Sequence, residues 1–310
     1  MRTPLISTIT PCFRMKPYLK LFLEELPKQT IFNQIEIVLD HNEPDEEELS
    51  WINEFQKKHP GRLKHLITDP VKPIGTSMNY CIREASAPLL TIWNVDDLRT
   101  PNSMELMVQA FNEDADIVYG NFEVVSSFGS KSGPLTDFLR YQNQPEEFTR
   151  SMLLGPFMAF RKSLCKKAGY FDEQLKSGAD FDLAVRLAFH GKPSLAKGLL
   201  GYYLNEGKGA STRPNSKQAL DRTAIELRFG IYDKVDYSMV ADASQLDITH
   251  IYIDGHSIHV STFVPNYTNL IEERKNNWLQ KGLTSHALKY LFKVKETKSF
   301  LKKVYKKIRL

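Results

Sequence analysis

Residues 73–97 read PIGTSMNYCIREASAPLLTIWNVDD, and the fold is decided here. Gly75 to Ala85 sets Met78, Cys81 and Ile82 on one helical face, and Leu89 to Trp93 is an unbroken apolar run that ends in Asn94, Asp96 and Asp97. An apolar run of this length fits a strand buried on both faces, as in a parallel sheet. The preceding chain repeats the alternation. Leu5 to Thr10 is a β-branched run closed by Pro11, Ile35 to Leu39 a second strand ending at Asp40, and Leu63 to Thr68 a third. Between them, Pro17 to Leu26 places Leu19, Phe22, Leu23 and Leu26 at helical spacing, and Leu49 to Phe55 fits a helix behind the acidic run DEEE, favoured in a first turn. The order β-α-β-α-β-α-β predicts an α/β fold, a mostly parallel sheet with helices on both faces. Ligands of such sheets bind beyond the carboxyl ends of the strands, so the loops after Thr10, Leu39 and Trp93 should share one rim.

Beyond this rim, Ser103 to Phe111 reads as a helix, Ile117 to Val125 as a strand and Gly129 to Gly133 as a break. Ser163 to Ala168 and Phe181 to Phe189 are further helices. After about residue 212 the pattern changes, and Ile248 to Ile253 and Ser257 to Phe263 flank Asp254-Gly255, a hairpin signal.

Two segments carry candidate chemistry. In TIWNVDDLRTP (91–101) two adjacent acids follow a buried strand, a hard oxygen site suited to Mg2+ or Mn2+ bridging a diphosphate. An Asp-rich turn that merely caps the next helix fits the same residues. In SGADFDLAVRLAFHGKP (177–193) Asp180 opens a helix where it can meet a hydroxyl, while Asp182 and Arg186 are spaced to pair at i and i+4. A plain N-cap plus a surface ion pair is the alternative.

These residues, taken in order, resemble a family 2 glycosyltransferase of the GT-A fold. The resemblance runs through TITPCFRMKPYLKLFLEEL (8–26), EIVLDHNEPDEE (36–47), residues 73–97 and LLGPFMAFRKSLCKKAGYFDEQLKSGADFDLAVRLAFHGK (153–192), covering about residues 3–212. It implies an inverting enzyme that moves a sugar from a nucleotide diphosphate donor to an acceptor hydroxyl, in surface glycan or polysaccharide synthesis. It implies Asp180 as catalytic base, Asp96 with Asp97 as the Mn2+ or Mg2+ side, and Pro11, Cys12, Arg14, Asp40, Gly75, Asn79, Asn94, Asp96 and Lys208 on the donor. Gly155 and Phe157 would shape the acceptor side, and Tyr203 to Ser211 a closing loop. On this reading residues 1–212 form the catalytic domain, with a nucleotide-sugar half (1–100) and an acceptor half (101–212). Residues 213–285 are an extension without a reading, and 286–310 a basic amphipathic helix. The chain departs from the family pattern at Asn94, Met78, Ala179 and Asn205, where relatives often carry an acid, Arg, Glu and His respectively. A sugar-nucleotide-binding or scaffold protein without transfer activity therefore stays open. A nucleotidyltransferase would need a Gly-rich loop after the first strand, and TPCFRMKP has no glycine.

The 310 residues carry a net charge of +4, unevenly placed. From Lys289 onward nine basic residues face one acid, a local charge of +8 that leaves −4 for the rest. Phe300, Leu301, Val304, Tyr305 and Ile308 form an apolar stripe there, the pattern of a helix lying on an anionic membrane surface, although a helix docked on the body fits as well. The acidic body argues against a nucleic-acid partner. No apolar run spans a bilayer and the start lacks a signal-peptide core, so the expectation is a cytoplasmic protein, peripheral on the inner face of the cell membrane and using a glycan or lipid-linked acceptor. The three cysteines lack a CxxC pair and read as buried hydrophobes. His256 and His259 are explained by the hairpin better than by a metal.

Overall fold

The computed structural model describes residues 3–282 apart from 113 and 208–215. Strands β1 (Ile6–Phe13), β2 (Ile35–Asn42), β3 (Leu63–Thr68) and β4 (Leu89–Ile92) pair in parallel in the order β3-β2-β1-β4. Helices α1 (Lys16–Glu25), α2 (Glu46–Lys58) and α3 (Ile74–Glu84) make the crossovers. Ile6, Ser7, Thr8 and Ile9 are fully buried, as a strand covered on both faces requires. Helix α2 starts at a reciprocal cap: Asp45 Oδ1 accepts from Glu48 N at 2.9 Å, and Glu48 Oε2 accepts from Asp45 N at 2.9 Å.

Strand β1 runs on through Pro11 instead of ending there. The backbone of Ile9 faces β4, its carbonyl accepting from Trp93 N at 3.1 Å. Pro11, two residues on, turns to the same side just where β4 has ended, so its missing N–H leaves no ladder bond unmade.

The second half of the sheet mixes directions. Strands β5 (Leu98–Arg99), β6 (Ile117–Val125), β7 (Leu135–Thr136), β8 (Ala159–Arg161) and β9 (Pro193–Leu204) extend it as β4-β8-β6-β9-β5, with β7 on the flank of β6. Strand β8 is antiparallel to β4 and β6, and β9 is parallel to β6. Helices α4 (Ser103–Asn112), α5 (Cys165–Ala168) and α6 (Ala179–Ala188) belong to this half. The expected α/β layering therefore holds, with its parallel pairing concentrated on the rim-forming side. The backbones of β5 and β9 approach closely at Gly201, where a Cβ would lie 2.4 Å from Leu98 O.

Residues 216–282 form α7 (Gln218–Arg228), α8 (Val240–Ala243), the hairpin β10 (His250–Ile253) and β11 (His256–His259), and α9 (Tyr267–Gly282). Asp254 and Gly255 turn the hairpin with φ of 53° and 75°. Ile225, Phe229, Ile251, Val260, Phe263 and Val264 enter the same core as β1–β4 and α6. Among the described residues no helix is long and apolar enough to cross a membrane. The basic segment 286–310 lies outside the described residues.

Candidate active site

The carboxyl ends of β1, β2 and β4 form the expected rim. Asp40, fully buried at the end of β2, accepts from Thr68 Oγ1 at 2.6 Å, from Asn42 Nδ2 at 3.1 Å and from Ser77 Oγ. One carboxylate thus fastens β2, β3 and α3 together. Cys12 is also fully buried, with its thiol pushed up chiefly by burial, so only its backbone belongs to the rim. Arg14 is exposed and takes φ of 56°, a left-handed conformation uncommon for a non-glycine residue.

Gly75 and Asn79 work at a joint on α3. A Cβ on Gly75 would meet Asp172 O at 3.1 Å. The Asn79 amide donates to Phe171 O at 3.0 Å and Glu173 Oε1 at 2.9 Å, and Asn79 Oδ1 accepts from Phe171 N at 2.8 Å. Both positions therefore lock α3 to the Phe171–Glu173 segment.

The acids after β4 face opposite ways. Asp97 is 2% exposed, its oxygens accepting from Leu204 N at 3.1 Å and Asn94 Nδ2 at 3.2 Å, which ties the turn to β9. Burial, then the neighbouring Asp96 charge, raises its carboxyl well above the ordinary range, against Leu204, Asn94 and Arg99. Trp93 closes the turn from beneath, donating from Nε1 to Asp97 O at 3.0 Å. Asp96 is only half-buried; burial raises its carboxyl, and the charge of Glu206 adds in the same direction. The Tyr18 hydroxyl donates to Glu206, and that bond first, then burial, pushes the phenol up to about 12. Tyr18 and Glu206 were not recognisable in the sequence, because they meet across 188 residues. The structure thus places Asp96 beside a second carboxylate, Glu206, and turns Asp97 inward as a structural acid.

Asp180 sits in the first turn of α6, half-buried, with Phe181 N donating to its Oδ1 at 2.8 Å. Burial is the main cause that raises its carboxyl to about 6; the charge of Asp221 adds to it and the Phe181 amide opposes it. Two residues on, Asp182 is fully buried and binds Arg186 Nε at 2.8 Å, the i, i+4 pair expected from the sequence. Arg228 of α7 joins them, 2.5 Å from Asp182 Oδ1 and 2.8 Å from Asp172 Oδ2. Burial alone would raise Asp182, but the two guanidinium groups hold it below the usual range.

Gly155 takes φ of 68°, with Phe122 and Phe138 within 3.3 Å of where a Cβ would stand, and Phe157 is 1% exposed against Phe122. These two pack into an aromatic core layer with Phe122 and Phe138. Lys208 and Gly209 to Ser211 of the closing loop lie outside the described residues. Among the described residues no three His, Cys, Asp or Glu side chains gather as a metal cage, the hairpin histidines included.

Comparison with known proteins agrees with this geometry. The family description "Glycosyl transferase family 2" matches residues 7–169. The hyaluronan synthase of Pasteurella multocida is 22% identical over 304 residues, covering 90% of this chain and 31% of the synthase. The chain spans between 20% and 58% of the lengths of the curated relatives it matches. Among solved structures, S. aureus TarS 1–349 in complex with UDP-GlcNAc superposes with a TM-score of 0.59 at 16% identity, over 78% of this chain and 70% of that one. The mannosyltransferase PcManGT of Pyrobaculum calidifontis, in complex with GDP-Man and Mn2+, gives 0.50 at 14% identity, over 98% and 85%. At such identities the structural likeness speaks for the fold alone.

Proposed function

The chain belongs to glycosyl transferase family 2, and from that premise we propose that it is an inverting transferase, moving a sugar from a nucleotide diphosphate donor to an acceptor hydroxyl. The observation that carries this reading is Asp180: a half-buried carboxylate at the start of a helix, raised to about 6 and so poised to take a proton near neutral pH. Asp180 accepts the proton of the acceptor hydroxyl as that oxygen bonds to the anomeric carbon. The bond from this carbon to the diphosphate breaks in the same displacement, which inverts the anomeric configuration.

Asp96, with Glu206 beside it, supplies the oxygen donors for Mn2+ or Mg2+. Burial, with the Glu206 charge added to it, raises the Asp96 carboxyl, a repulsion that a cation would relieve. When bound, the ion offsets charge on the departing diphosphate. The donor lies across the backbone of Pro11 and Cys12, Arg14 and Asn94, with Lys208 adding positive charge, while Asp40, Gly75 and Asn79 hold the walls in place and Asp97 anchors the turn. The sugar-nucleotide complexes of the two structural neighbours support a sugar nucleotide as the donor class. The relative that makes hyaluronan favours a surface glycan or polysaccharide as the acceptor class.

Asn94, whose amide is given to Asp97 where relatives often have an acid, favours a second reading, a protein that binds sugar nucleotide without transferring it. Acceptor-dependent release of nucleoside diphosphate separates the two. Asp180→Asn should still be stabilised by donor while release stops; continued release at the wild-type rate would refute the assignment of the base. We place the enzyme in the cytoplasm, with residues 286–310 on the anionic inner membrane face. Flotation with anionic liposomes, with and without those residues, tests this, and equal flotation refutes it.

A further inference from the structure

Helix α7 lies beyond the residues matched by the family, yet it grips the candidate base helix at two points on one face. Arg228 holds Asp182 and Asp172, as described. About two turns earlier, the Oδ2 of Asp221 accepts from three successive backbone amides: Lys176 N at 2.7 Å, Ser177 N at 2.6 Å and Gly178 N at 3.1 Å. These are the residues that lead into α6, and Asp180 follows two positions after Gly178. Asp221 is 1% exposed, so the carboxylate has no water to compete for it. The approach is close: a Cβ on Gly178 would stand 2.9 Å from Ile225 Cδ1 and 3.0 Å from Asp221 Cβ.

From this geometry we infer that Asp221 is a positioning residue for Asp180. Its carboxylate fixes the peptide planes of residues 176–178, and so sets where the first turn of α6 begins and where the Asp180 carboxylate points. Three amides on one oxygen define an orientation that a neutral, half-donating side chain cannot reproduce. A helix that is only a structural cover would not need its acid at that spot, because the apolar contacts of Ile225 and Phe229 already bury it. The inference rests on the transferase reading for its catalytic consequence, though not for the clamp itself.

The test uses the full chain with Mn2+ and whichever of UDP-GlcNAc, UDP-glucose or GDP-mannose stabilises it, following nucleoside diphosphate release to a simple glycoside acceptor. Asp221→Asn is expected to lower kcat by tenfold or more with the donor KM within twofold of wild type. Hydrogen exchange at the Ser177 and Gly178 amides should quicken in the folded protein. Gly178→Ala, which pushes on the clamp from the other side, should give the same split and serves if Asp221→Asn does not fold. Quickened exchange with an unchanged kcat, or a raised donor KM at constant kcat, overturns the positioning role. Wild-type protein that turns over none of these donors would sink the transferase reading instead. The clamp is then judged by exchange alone, and unchanged protection of the two amides in Asp221→Asn would overturn it.

Discussion

If Asp180 takes the acceptor proton, the rate must fall in acid at the point where this carboxylate protonates, and the structure says where. Burial, with the Asp221 charge behind it and the Phe181 amide against it, moves the group from 3.8 to about 6. That shift of roughly two units corresponds to about 3 kcal/mol against the ionised form. The sign follows: the active, ionised form dominates above pH 6 and is lost below it. About nine-tenths of the carboxylate is ionised at pH 7 and about one-tenth at pH 5, so kcat/KM for the acceptor should drop nearly tenfold over that interval, whereas an ordinary aspartate would lose little above about pH 4.5. The assay is nucleoside diphosphate release at limiting acceptor from pH 4.5 to 8, with circular dichroism at each pH to separate titration from unfolding. Asp180→Asn should lie about 10² to 10⁴ below wild type at pH 7 and above. A plateau that continues to pH 4.5 in folded protein, or Asp180→Asn within about tenfold of wild type, would refute the reasoning.

Other consequences are equally direct. Replacing Arg228 by alanine leaves Asp172 and Asp182 buried without their shared partner and should cost about 3 to 5 kcal/mol in urea unfolding; a loss under about 1 kcal/mol would contradict the network. His65 is held neutral, lowered from 6.5 to about 4 first by burial and then by His41, so the unfolded chain binds a proton that the folded one refuses. Stability from this group is complete above pH 6.5 and declines by about 2 to 3 kcal/mol as pH falls to 4, and His65→Asn should flatten that decline in denaturant titrations. Manganese should add to donor stabilisation in the wild type, which at a hundredfold excess over Kd amounts to about 2.7 kcal/mol, and Asp96→Ala should lose the manganese-dependent part in a thermal-shift series.

What could be read from the sequence divides along physical lines. Strands β1 to β4 and their helices announce themselves because each is a local pattern: a short apolar run, a helical stripe, an acidic first turn. The Asp254-Gly255 hairpin and the Asp182–Arg186 pair are local for the same reason. Strand β9 was not legible, since PSLAKGLLGYYL contains two glycines and no clean alternation, and only its pairing with β6 and β5 makes it a strand. Strand β8 has three residues and exists because two neighbours flank it. At the site, two adjacent aspartates could not be told apart on paper. Which one faces outward is decided by Leu204 N–H and Asn94, one of them supplied from 107 residues away. Glu206, Asp221 and Arg228 stayed hidden for the same reason: each acts on a partner remote in the chain.

The grip of α7 bears on anyone who would cut or recombine this protein. A fragment ended at residue 169, where the family match stops, would lose Asp180 and both of the groups that hold its helix. One ended near 212 would keep the aspartate and discard Asp221 and Arg228, leaving interior Asp172 without its counter-charge and Asp182 with Arg186 alone. Chimaeras that exchange residues 101–212 for those of another family member should therefore place the junction downstream of α7 and carry the hairpin along, because Tyr252 N donates to Asp172 at 3.0 Å and shares in the same buried assembly.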